Sequence, residues 1–221
     1  MASRELSSEG WQTKSSDRFV LKWIKCNLSA RITPGLLAFS WMRPWIITVG
    51  SMALGIAAGC SFAAGWGVLA GLLAGVSQIL DGVDGQYARL TGAESSAGAF
   101  LDSALDRYSD GFLVLGLIVF NVHNEFPGSL LFILGALAFT GSGLVSYTSA
   151  RAESLGIDLG NPTLASKGTR TTVIAIAGIL SCFLTYMPMV ALCYLVLHTN
   201  LVVVWRIRMA TRSVAPKRSL P

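Results

Sequence analysis

Six stretches of this chain are long and apolar enough to cross a lipid bilayer as helices, which constrains its fold more than any other feature. A hydrocarbon core about 30 Å thick needs roughly 20 helical residues at about 1.5 Å each. Such runs extend from near Pro44 to Ala64, Trp66 to Val83, Ala99 to Asn121, Ser129 to Ser149, Thr171 to Met187 and Met189 to Val204, with Pro188 separating the last two. Residues are 52% hydrophobic and only 13% charged. A soluble fold of that composition would expose very large apolar patches. The expected fold class is therefore all-α: a polytopic membrane protein of six transmembrane helices.

Charge placement orients the spans. The loops after spans one, three and five lack Lys and Arg, and their only charge is Glu125, with His123 nearby. All 17 basic residues lie on the other side, so the positive-inside rule puts both termini and that side in the cytoplasm. The net charge of +5 follows membrane edges, and no nucleic-acid partner is expected. Within Asp17–Arg31, Phe19, Val20, Trp23, Ile24 and Leu28 recur at helical spacing, with Arg18, Lys22, Lys25 and Ser29 opposite. That pattern suits an amphipathic helix lying in the membrane interface or packed on the protein itself. The expected organisation is a disordered N-terminus at 1–16, an interfacial helix and linker at 17–43, a six-helix domain at 44–209 and a basic tail at 210–221. No cleavable signal peptide is expected. The four cysteines show neither metal-site nor disulfide spacing.

The chemistry is concentrated in acids around the junction of spans two and three. Asp81 and Asp84 are three residues apart and share a helix face, as do Asp102 and Asp106 at a spacing of four. Asp110 continues the stripe one turn deeper. Counting back from Phe120 puts Asp102 near the membrane boundary, with Asp106 and Asp110 roughly 6 and 12 Å further in. A charge inside a span costs at least about 2.5 kcal/mol on insertion scales, so these acids require water, partners or cations. Oxygen ligands without His or Cys suit Mg²⁺, Mn²⁺ or Ca²⁺ rather than zinc, and two metal ions a few ångströms apart serve in-line phosphoryl transfer. The alternative is an Asp–Arg network in which Arg89 and Arg107 hold two helices together.

Asp81, Asp84, Gly85, Ala88, Arg89, Gly98, Asp102 and Asp106 match D-x2-D-G-x2-A-R-x8-G-x3-D-x3-D, and here the chain resembles the CDP-alcohol phosphotransferase family. The resemblance implies that Asp81, Asp84, Asp102 and Asp106 bind two Mg²⁺ (or Mn²⁺) ions, and that Asp106 is also the general base. It implies that Gly85, Arg89 and a hydroxyl at Ser95 contact the CDP-activated donor. Ala88 and Gly98 keep the two helix faces small, and Arg89 can meet phosphate bidentately. The family's P-N-x-x-T appears as Pro44-Trp45-Ile46-Ile47-Thr48: Thr48 is retained as a donor residue and Trp45 replaces the Asn.

The family reaction joins the donor's β-phosphorus to an acceptor hydroxyl and releases CMP, in phospholipid biosynthesis at the inner cell membrane, with homodimerisation the family habit. Arg151, Lys167 and Arg170 lie at helix ends on the active-site side, where they clamp an acceptor phosphate or simply reflect positive-inside topology. The Ala-Arg-Ala-Glu run and the run from Leu101 to Asp110 look most like inositol-phosphate-using members. The expected acceptor is inositol 1-phosphate and the expected donor CDP-diacylglycerol. CDP-inositol as donor and glycerol 3-phosphate as acceptor stay open. An ion-conducting protein would also hold acids within spans, but here every polar cluster sits at one end.

Overall fold

The computed structural model describes residues 25–39, 41–159 and 166–214, and among them every regular element is a helix. A short π-helical turn, Lys25–Ser29, leads into α1 (Ala30–Leu37). Then follow α2 (Pro44–Ala63), α3 (Gly67–Thr91), α4 (Ser96–His123), α5 (Gly128–Ser154), α6 (Lys167–Leu180) and α7 (Met187–Val214). Pro44 opens α2 at a position where its missing N–H is no loss. Gly65, at φ +82°, lets the chain reverse into α3.

Four helices are long and apolar enough to cross a membrane: α2, α3, α5 and α7 as far as Thr211. Of the six expected spans, these four are supported by length and composition. α4 carries Asp102, Asp106, Arg107 and Asp110 between its second turn and its middle, and α6 has only 14 residues. Small residues let backbones approach where packing, not water, drives association. A Cβ on Gly116 of α4 would strike the carbonyl of Gly59 in α2, and one on Gly178 of α6 would lie 2.7 Å from the Gly67 carbonyl of α3. Phe62 and Phe120 meet edge to face at 5.8 Å within the core. Phe132, Leu197 and Leu201 remain exposed on the outside.

Polar ties set helix registers near the site. Ser51 and Ser77 each donate to the other's carbonyl, at 3.0 and 2.8 Å, binding α2 to α3 one turn before Asp81. On the other face of α3, Ser29 donates to the Ile79 carbonyl at 2.8 Å and Thr33 to the Gln86 side-chain carbonyl at 2.9 Å.

Several sequence boundaries move. α3 continues to Thr91, well past Val83, because Gly85 is accommodated within it and no proline intervenes before Gly92, which ends it in the left-handed conformation. α6 begins at Lys167 and stops at Leu180, where the Ser181 hydroxyl and Cys182 thiol satisfy the carbonyls of Gly178 and Ile179. Pro188 lies in the first turn of α7 rather than between helices. The tail expected from 210 is helical to Val214, since the next breaker in the sequence is Pro216. Ser29, assigned to a polar face, is fully buried against α3. The rest of the amphipathic stretch, before Lys25, lies outside the described residues, as do 1–16.

Candidate metal and nucleotide site

The site forms where α3 ends and α4 begins. The turn between them is tightly specified: Ala93 N–H donates to the Ala88 carbonyl at 2.9 Å, and Gly92 has φ +66°. Ser95 then caps α4, its hydroxyl accepting the Gly98 N–H at 3.0 Å. Both helices thus present their acids at one end of the bundle. Carboxylate oxygens of Asp81, Asp102 and Asp106 lie within 4.8 Å of one another. Asp84 falls outside that trio. Its Oδ1 accepts the Gly85 N–H at 2.5 Å, and its buried Oδ2 has no hydrogen-bond partner among the described residues.

Three converging carboxylates and a buried, unsatisfied carboxylate oxygen are a hard-oxygen donor set that fits Mg²⁺ or Mn²⁺. The structure brings Asp81, Asp102 and Asp106 together as expected and sets Asp84 beside them.

A cleft of about 170 Å³ opens against these acids. Asp81, Asp84 and Asp102 line it together with Gly85, Ala88, Arg89, Ser95, Gly98 and Thr48, so every residue expected at the donor faces one cavity. The Arg89 guanidinium folds back over Gly85, 3.4 Å from where a Cβ would stand, which is ordinary contact distance. Trp45 lines the cleft where the family Asn would stand. Thr48 is buried and its hydroxyl donates to the Pro44 carbonyl at 3.1 Å. A larger cavity, about 480 Å³, lies at the opposite end among Trp66, Phe120, His123 and Ser181, and none of these acids lines it.

The basic residues divide. Lys167 Nζ lies 2.6 Å from Asp81 and also pairs with Asp106, joining α3 to α4 from the first residue of α6. Arg170, 3% exposed, pairs with Asp110 at 2.7 Å. Arg107 lies 3.7 Å from both Asp106 and Asp110 and donates to Ser146 of α5. Asp110 therefore belongs to an arginine network rather than to the carboxylate trio. Arg151 is exposed in the last turn of α5, 3.5 Å from the Ser154 hydroxyl and apart from the cluster. Arg206, which the sequence reading did not single out, reaches from α7 to the Ser149 hydroxyl at 2.8 Å and to the Val145 carbonyl. The signal that marks it is an arginine directly after an apolar run, at the same end as the acids.

The profile of the CDP-alcohol phosphatidyltransferase family matches residues 41–206. The chain belongs to this family. The resemblance drawn from the aspartate spacing is borne out. Among relatives, the archaetidylinositol phosphate synthase of Methanothermobacter thermautotrophicus is 32% identical, over 72% of this chain and 82% of its own length. That of Pyrococcus horikoshii is 36% identical over 51% of this chain, a match spanning only 56% of the relative. The fold is that of Mycobacterium tuberculosis phosphatidylinositol phosphate synthase, at 23% identity and TM-score 0.72, covering 83% of this chain and 93% of that one. That enzyme has been solved with CDP-DAG bound and with manganese and citrate.

Proposed function

We propose that this protein is a metal-dependent CDP-alcohol phosphotransferase that transfers a phosphatidyl-type group from CDP-diacylglycerol to inositol 1-phosphate and releases CMP. The observation that carries the reading is the convergence of Asp81, Asp102 and Asp106 from two helices beside a cleft floored by Gly85 and flanked by Arg89. The names of the synthases it resembles support the acceptor, and the CDP-DAG complex of the mycobacterial enzyme supports the donor.

In this reading Asp81, Asp84, Asp102 and Asp106 hold two divalent ions. When bound, these neutralise the donor pyrophosphate and the departing CMP. The chain's own residues do the rest. Arg89 and the small surface of Gly85 and Ala88 seat the cytidine diphosphate. Asp106 takes the proton of the acceptor hydroxyl. That oxygen bonds to the β-phosphorus as the bond to the CMP oxygen breaks. Arg151, Lys167 and Arg170, with Arg206 added from the structure, supply positive charge for an acceptor phosphate.

Helices α2 to α5 and α7 would each cross the inner membrane, and α6 would do so only together with the turns that follow it to Met187, with the site cytoplasmic and the protein a homodimer. The test is CMP release from CDP-diacylglycerol and from CDP-inositol, with inositol 1-phosphate, glycerol 3-phosphate and uncharged alcohols as acceptors. Turnover only with an uncharged alcohol would overturn the acceptor assignment; no CMP release with any pair, at saturating Mg²⁺ or Mn²⁺, would overturn the reaction.

A further inference from the structure

We infer that Lys167 is a tethered counter-cation of the metal-free protein: its ammonium holds Asp81 and Asp106 together, and a divalent ion must displace it to bind. The inference rests on the metal reading above and concerns what the site does before metal arrives.

Three carboxylates whose oxygens approach within 4.8 Å repel one another unless positive charge lies between them. Lys167 supplies it, bridging Asp81 of α3 and Asp106 of α4, with all three side chains only 15–17% exposed. Its position in its own helix does not account for this placement. Lys167 is the first residue of α6, where the helix dipole disfavours a cation, and Ser166 already caps that end by accepting from Thr169 N–H. The carboxylates hold it there.

The neighbouring cations have other attachments. Arg170 anchors α6 to Asp110 at 2.7 Å, and Arg107 also reaches Ser146. Lys167 is also the residue type suited to leaving: a compact charge on a flexible four-carbon stem, without the fixed fork of arginine. A divalent ion brings twice the charge to the same oxygens and accepts several of them at once. When it displaces Lys167, the Arg170–Asp110 pair keeps α6 in place. The lysine-bound state is then a competitor built into the chain, which lowers the apparent metal affinity by the fraction of molecules it occupies.

The test is Mn²⁺ titration of detergent-purified protein, followed by the electron paramagnetic resonance signal of free Mn²⁺. Lys167→Met should bind about tenfold more tightly than wild type, because the competing state is gone. Binding by both proteins with equal affinity, or more weakly by the variant, overturns the inference and leaves the metal reading standing. No Mn²⁺ binding by either overturns both. Should the variant fail to fold, wild type alone decides, through amine acylation of Lys167 measured by mass spectrometry. Labelling should rise severalfold on adding Mn²⁺ to chelator-treated protein; unchanged or slower labelling overturns the inference.

Discussion

Gly71→Ala asks whether the contact between α3 and α6 aligns the site. A Cβ at Gly71 would fall 2.5 Å from the Ala175 carbonyl oxygen and 2.7 Å from the Ile179 nitrogen. Both are backbone atoms of α6 and cannot swing aside as a side chain does. Comfortable contact begins at about 3.5 Å, so the helices must part locally by about 1 Å. Gly75, one turn along α3, has nothing within 4 Å of such a Cβ and is the control. Both substitutions gain alanine's helix preference, about 0.8–1 kcal/mol. Only Gly71→Ala also incurs overpacking, about 1–3 kcal/mol, and that difference separates the two variants. Lys167 and Arg170 sit on α6 while Asp81 sits on α3, and a misplacement near 1 Å at a reacting centre costs about 100-fold in rate. Thermal unfolding in detergent and initial rates of CMP release should place Gly71→Ala below Gly75→Ala on both measures. A Gly71→Ala protein matching the control in melting temperature and rate would refute the argument.

Three further outcomes are expected. Asp106→Asn should abolish CMP release while the protein still elutes as a folded species on size exclusion; near-wild-type turnover would remove Asp106 from the general-base role. Asp110→Asn takes a carboxylate from the nearly buried Arg170 and should cost about 3–5 kcal/mol, read as a lower melting temperature, and an unchanged one would make the arginine network dispensable. Thr33→Val leaves the Gln86 side chain short of a buried hydrogen bond, so about 1–3 kcal/mol should be lost. Protease should then cut ahead of α2 sooner than in wild type.

The parts legible in the sequence are those governed by spacing along one helix. Asp81 with Asp84, and Asp102 with Asp106, share faces by helical geometry alone, and the family match carried Gly85, Arg89 and Ser95 to the same cleft. What could not be read depends on how helices pack. Lys167 lies 86 residues from Asp81 in sequence, and no local pattern marks it as a carboxylate partner rather than an acceptor clamp. The π-helical turn that buries Ser29 obscured its placement, because a helical wheel assumes a regular period. The early end of α6 follows from Ser181 and Cys182 bonding back to the helix, residues that hydropathy counts as neutral or apolar.

The turn from Gly92 to Ser95 is clamped at both ends, by a left-handed glycine behind and a serine cap ahead. It therefore acts as a phase lock between two rotating objects. One residue inserted between Ser96 and Asp102 would turn the α4 acids by about 100° and move them about 1.5 Å along the axis, carrying them off the oxygens of Asp81. Of the eight residues between Arg89 and Gly98, Gly92 and Ser95 are held by these two roles, and a change in the length of the segment would likewise shift the α4 acids against Asp81. Substitution elsewhere in this segment leaves the phase of the two helices intact, whereas a change in its length dismantles the site.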